Sequence, residues 1–143
     1  MRKGWVLTVA TVLMACVCAF AGCLAKKPQV IKESDTYIVI NVSEKQMKIT
    51  AETTLVAYMG ALKENGELSF EMQNGMVVSV NGIENPADWS SCWMLYTNDT
   101  YNANVAWGQV EYEGEIYGSA MFGAETLTVK DGCTYIWIFQ SFE

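Results

Sequence analysis

The side chains best suited to covalent or metal chemistry in this 143-residue chain are its five cysteines, because the sequence contains no histidine. Without histidine the chain lacks the commonest general base and the commonest zinc ligand. It has no Ser/His/Asp or Cys/His set, no glycine-rich phosphate loop and no carboxylate pair in a recognisable frame. The sequence therefore predicts no catalytic residue, no metal site and no cofactor. Hydrolysis by carboxylates alone is the remaining enzymatic alternative.

Cys23 follows a segment with the layout of a secretory signal peptide. Arg2 and Lys3 are basic, residues 5–21 carry no charge, and small residues directly precede the cysteine. This layout resembles the lipobox of bacterial lipoproteins, in which the peptidase cuts before a cysteine that carries diacylglycerol. The resemblance implies a leader at 1–22 and a lipidated Cys23 at the start of a tether, 23–35. Two or more acyl chains hold a protein stably at a membrane.

Two alternatives to lipidation remain open, plain secretion and an uncleaved anchor. The 17-residue run at 5–21 is at the lower limit for spanning a hydrocarbon layer of ~30 Å. Each alternative places the folded domain outside the cytoplasm. The 16 acidic and nine basic residues give a net charge of −7, which excludes nucleic acid as a partner.

Cys92 and Cys133 are the cysteines that remain in the domain, since Cys16 and Cys18 fall in the leader. In an oxidising compartment two cysteines in one small domain more often pair than bind metal or attack a substrate. We therefore predict a Cys92–Cys133 disulfide, with a metal site and a reactive thiol as the alternatives.

The elements that position these residues are predicted from periodicity and turn residues. A β-branched run follows Thr36, a helix capped by Thr50 carries Leu55, Met59 and Leu62 on one face, and turns occur at Asn74-Gly75 and Glu113-Gly114. Strands are expected at 92–97 and 133–140. The sum predicts a single α+β domain at 36–143, with one helix packed on a mixed, mainly antiparallel β-sheet in a β-grasp-like arrangement.

Aromatic residues form the main candidate ligand site. Trp89 and Trp107 lie in polar loop sequence, where a tryptophan either caps the core or meets a ligand. Trp93 belongs to a strand that is apolar on both faces, so it is predicted to be central, with a core role as the alternative to binding. The candidate ligand-binding residues are Trp89, Trp93, Tyr96, Asn98, Tyr101 and Trp107. Turn formation is the alternative for Asn98.

Three stretches carry a resemblance to a known family. Val77–Ile83 ends in an Asn-Gly turn, Cys92–Asn98 reads Cys-Trp-Met-Leu-Tyr-Thr-Asn, and Lys130–Phe139 runs from an Asp-Gly turn into an aromatic strand. Together they resemble the bacterial lipoprotein domain family of unknown function that is related to the C-terminal domain of transcobalamin and intrinsic factor.

The resemblance implies a domain that binds without catalysing a reaction. Its expected partners are a small ligand such as cobalamin, or a membrane transporter in an uptake complex. The alternative function is a structural or adhesive module of the cell envelope. A groove lined by Trp89, Tyr101 and Trp107 would favour the small ligand, and burial of these residues in one core would favour the module.

Overall fold

The computed structural model describes residues 27–142. Strands account for 44% of the structure and helix for 9%, so the fold is mostly β. The elements are β1 (Gln29–Val30), β2 (Tyr37–Asn41), α1 (Leu55–Glu64), β3 (Phe70–Gln73), β4 (Met76–Val80), β5 (Ile83–Glu84), β6 (Ser91–Thr97), β7 (Ala103–Tyr112), β8 (Glu115–Ala120) and β9 (Thr134–Ser141).

The main sheet has six strands in the order β1-β7-β8-β6-β9-β2. β1 runs parallel to β7, and the other pairs are antiparallel. The sheet is curled. The curl brings Tyr37 on the edge strand β2 against Tyr112 on β7, with ring centroids 5.7 Å apart. A second sheet, β3-β4-β5, and α1 contribute to the core on the other face. The predicted α+β, β-grasp-like arrangement of one helix on one sheet is therefore wrong.

The central positions predicted for the two aromatic strands are confirmed. β6 and β9 pair along seven residues in the middle of the sheet. Trp93, Leu95 and Trp137 pack into the core shared with α1. Tyr96 and Ile136 face the opposite core, inside the curl. Alternation along a strand thus predicted both faces correctly.

The local signals for turns and for the helix face are also borne out. Asn74 and Gly75 have φ of 52° and 78°, which a two-residue type I′ hairpin requires. In α1, Leu55 and Met59 are fully buried. The cap is Thr54 rather than Thr50, since the Thr54 side chain accepts a hydrogen bond from the backbone N–H of Ala57.

The stretch predicted to be a tether contributes to the sheet. Gln29 and Val30 pair with β7, and the backbone N–H of Ile31 donates to the carbonyl of Glu111 at 2.9 Å. Ile31 also packs against the core inside the curl. The leader at 1–22 and Cys23 lie outside the described residues.

Tyr117, which lies inside the curl, should make the fold less stable as pH rises into the alkaline range. Burial and the neighbouring Glu115 carboxylate raise the pKa of Tyr117 from 10.0 to about 12. Because the folded-state pKa is the higher one, this contribution is complete below the pKa of the unfolded chain and is lost as pH rises through about 12. We expect Tyr117→Phe to reduce the alkaline loss of unfolding free energy in urea titrations. Tyr101→Phe at an exposed position is the control, and an unchanged profile for Tyr117→Phe would contradict the assignment.

Candidate functional site

The structure buries two of the predicted ligand residues in opposite cores. Trp93 donates from Nε1 to the carbonyl oxygen of Ile83 at 2.8 Å and packs on Phe139. Tyr96 donates its hydroxyl proton to Gln140 at 2.8 Å on the other face. Because the side chains point to different faces of β6, they do not form one site.

Asn98 has a structural role at the end of β6. Its Oδ1 accepts from the backbone N–H of Thr134 at 2.8 Å, and its Nδ2 donates to Glu115 at 3.1 Å. The side chain thereby extends the ladder between β6 and β9 by one hydrogen bond.

The other three predicted residues are exposed but do not converge. Trp89 precedes the start of β6 and has φ of 57°, a strained value for a bulky residue. Tyr101 lies in the turn that follows the end of β6, and Trp107 lies within β7. The exposed fractions of the three side chains are 50%, 72% and 66%. Within residues 27–142 none of the three belongs to either core cluster, and none lines the three clefts with the best-defined walls, so neither expected arrangement is found there.

A bulge in β7 displays Trp107. The pairing with β8 passes from Asn104↔Ser119 directly to Gln109↔Gly118, which leaves residues 105–108 without partners on β8. Gly118 permits this close approach, because a Cβ there would lie 3.0 Å from the Cβ of Ala103.

The buried carboxylate of Asp99 fixes the turn that carries Tyr101. Asp99 is 2% exposed and accepts from the backbone N–H of Tyr101, from Nδ2 of Asn102 and from the hydroxyl of Tyr135. The Lys130 ammonium lies 3.5 Å from its Oδ1. Burial is the main cause that raises the pKa of Tyr135, so this phenol stays protonated and able to donate.

The predicted Cys92–Cys133 disulfide is wrong, and both thiols are free. Cys92 pairs with Gln140 at one end of the β6–β9 ladder, whereas Cys133 precedes Thr134 at the other. At ~3.3 Å per residue the two lie roughly 20 Å apart along the ladder. A disulfide needs Cα atoms within about 7 Å.

Both thiols should react with iodoacetamide without prior reduction. Burial raises the pKa of Cys92 and of Cys133, so labelling should be slow in the native state and faster in urea. Mass spectrometry of the two labelled peptides measures this. Labelling that appears only after a reductant is added would contradict the geometry.

A cleft opens where β6 parts from β8. Only Tyr96 and Thr97 of β6 pair with β8. Beside the rest of β6 lies a cleft of about 260 Å³, whose other walls are the β3–β4 turn and residues 121–124. Met76 and Phe122, both half-exposed, line it together with the buried side chains of Trp93 and Trp137.

Trp137 gives this cleft a polar feature. The residue is 5% exposed, yet its Nε1–H has no hydrogen-bond acceptor among the described residues. A buried donor without an acceptor costs about 1–3 kcal/mol, so such a group needs a physical explanation. The cleft is thus lined by both apolar and polar groups, and one lining residue, Trp137, has a buried indole N–H without an acceptor among the described residues. Sequence reasoning placed Trp137 in a strand but gave no signal that its indole N–H would lack an acceptor.

Between residues 27 and 142 no group of three or more Cys, Asp or Glu side chains could hold a metal ion. No helix in the same range is long and apolar enough to span a membrane.

Comparisons with family models, curated proteins and solved structures find no match to this chain. The resemblance to the transcobalamin-related family therefore stays a prediction.

Proposed function

We propose that this chain is a non-enzymatic binding protein whose cleft beside β6 takes a small, mostly apolar ligand. The observation that carries the proposal is the unpartnered indole N–H of Trp137, whose side chain lines a partly apolar cleft. Ligand sites typically combine apolar walls with a few placed polar groups. The ligand should accordingly carry one acceptor oxygen for this donor.

The size of the cleft restricts the ligand further. Its volume of about 260 Å³ lies below the usual range of about 300–1,000 Å³ for drug-sized ligands. A whole corrinoid exceeds that range, so we propose a ligand much smaller than cobalamin. Cyanocobalamin should cause no saturable quenching of the tryptophan fluorescence once its own absorption is corrected for, and saturable quenching would favour the corrinoid instead.

The location proposed for this binding protein is the outer face of a cell membrane, held by lipid on Cys23. The sequence of the leader supports this location. Since the chain joins the sheet at Gln29, only a few residues separate the domain from the lipidated cysteine. A tether of that length keeps the ligand near the membrane, where a transporter is the proposed partner.

A matched pair of probes tests the ligand class. Acetophenone and α-methylstyrene have nearly the same shape, but only the ketone offers an acceptor oxygen. We expect the ketone to bind about three- to tenfold more tightly, the value of one net hydrogen bond. Trp137→Phe should abolish this preference. Absence of binding by both probes at millimolar concentration would contradict the proposal.

The β7 bulge favours the second candidate function, an interaction module of the cell envelope. Trp107 and Val105, both within the bulge, are 66% and 57% exposed, and exposed aromatic side chains are common binding anchors. Trp107→Ser should leave binding of the ketone unchanged if the cleft is the functional site. A loss of ketone binding in this variant would connect the bulge to the ligand.

A further inference from the structure

The outer edge of β2 carries unpaired peptide groups at Val39, whereas the outward carbonyl of Asn41 accepts from the Tyr58 hydroxyl of α1 at 3.2 Å. The backbone N–H of Val42 donates to Cys133, and that of Phe139 donates to Thr36, which fixes the residues of β2 that bond to β9. Ile38 and Ile40 therefore exchange hydrogen bonds with β9, and the peptide groups of Val39 turn the other way. No strand in the described structure lies on that side, because β2 ends the sheet.

A groove of about 360 Å³ runs along this edge. Tyr58 and Leu62 of α1 form an apolar wall, while Lys45 and Gln46 belong to the loop after β2. The Nε2 of Gln46 is buried and has no hydrogen-bond partner in the described part of the chain. The groove therefore has the unpaired peptide groups of Val39 on one side, and the lining residue Gln46 has a buried donor without a partner in the described part of the chain.

We propose that the groove binds an extended segment of a partner protein, which adds to β2 as a seventh strand of the main sheet. Strand addition supplies the hydrogen bonds that the edge residue Val39 lacks. A carbonyl of the added segment would accept from Gln46. We expect the added segment to carry apolar side chains at alternate positions, facing Leu62. It should also carry an acidic group near Lys45 and a basic group near Glu67.

The shape of the groove favours a single extended strand as its occupant over the sheet edge of a second copy of this chain. Glu67 and Leu68 follow α1 and line the groove opposite β2. A single extended strand fits between such walls, whereas the edge of a second sheet would bring further strands and loops against α1. This site is separate from the cleft beside β6, so it can be tested independently.

The probe is an acetylated and amidated octapeptide of alternating valine and threonine, with glutamate near one end and lysine near the other. Added to the full chain, it should bind saturably and slow the hydrogen exchange of the Val39 amide. Val39→Pro removes the outward N–H that would bond to the peptide, so it should weaken binding more than tenfold. The variant should still fold, because proline is tolerated on an edge strand where the N–H faces away from the sheet. Val39→Ala keeps the N–H and should stay within about twofold of the wild type.

Gln46→Leu provides a variant that leaves the β2 backbone unchanged, and it should weaken binding about three- to tenfold, the loss of one net hydrogen bond. Equal affinity in the wild type, Val39→Pro and Gln46→Leu would overturn the proposal, and so would no binding at millimolar peptide. Sedimentation that shows a dimer in the wild type and a monomer in Val39→Pro would also overturn it, in favour of a second copy.

Discussion

Replacing Asp99 by alanine is expected to lower the free energy of unfolding by about 3 kcal/mol. Hydrogen bonds to a charged acceptor contribute about 1.5–3 kcal/mol each, and the loss is largest when buried donors remain unpaired. The Asp99 carboxylate accepts from Asn102 and Tyr135, both buried, and from the backbone of Tyr101. Urea unfolding followed by circular dichroism measures the change.

Asp99→Asn keeps the shape of the side chain but replaces one acceptor oxygen with an NH₂ donor. Each carboxylate oxygen already accepts a hydrogen bond, so an amide NH₂ at either position would oppose another donor. Asparagine should therefore recover only part of the lost stability. Asp131→Ala is the matched control, since that carboxylate caps one exposed backbone N–H and should matter far less. If Asp99→Ala were as stable as this control, the turn would not depend on the buried carboxylate.

Gly123→Leu should abolish ketone binding while the fold is retained. Gly123 lines the cleft, and a Cβ there would meet only the carbonyl oxygen of Gly75, at 4.0 Å. Its φ is not positive, so a side chain adds no backbone strain. A leucine would extend into the space that we assign to the ligand. The expected loss of affinity exceeds tenfold in calorimetric titration.

Gly60→Leu is the matched control for this change. Gly60 lies in α1, away from the cleft, and a Cβ there meets nothing within 4 Å. The substitution should leave ketone affinity within about twofold and should favour the helix by about 0.5–1 kcal/mol. Unchanged binding in Gly123→Leu would place the ligand elsewhere on the molecule.

The sequence predicts the parts of this fold that depend on neighbouring residues. Positive φ is easy for glycine and tolerated by asparagine, so Asn74-Gly75 marked its hairpin correctly. The Glu113-Gly114 turn was found in the same way, with φ of 50° and 79°. The strand of Trp93 was predicted to be apolar on both faces, and Trp93 and Tyr96 do pack into the cores on opposite faces of β6.

The sequence does not predict how distant segments meet. The curl depends on contacts such as that between Tyr37 and Tyr112, which no local pattern encodes. The separation of Cys92 from Cys133 depends on the register of β6 against β9, so counting cysteines could not decide the pairing. The cleft exists because β6 and β8 share only two paired positions, which is also a property of register.

The indole N–H resonance of Trp137 tests the central claim most directly. In ¹H–¹⁵N spectra of the full chain, acetophenone should shift this resonance downfield, because the donor gains an acceptor. The same concentration of α-methylstyrene should not produce the downfield shift, and the indole resonance of Trp107 should stay in place with both probes. A Trp137 resonance that does not move while the ketone binds would contradict the account.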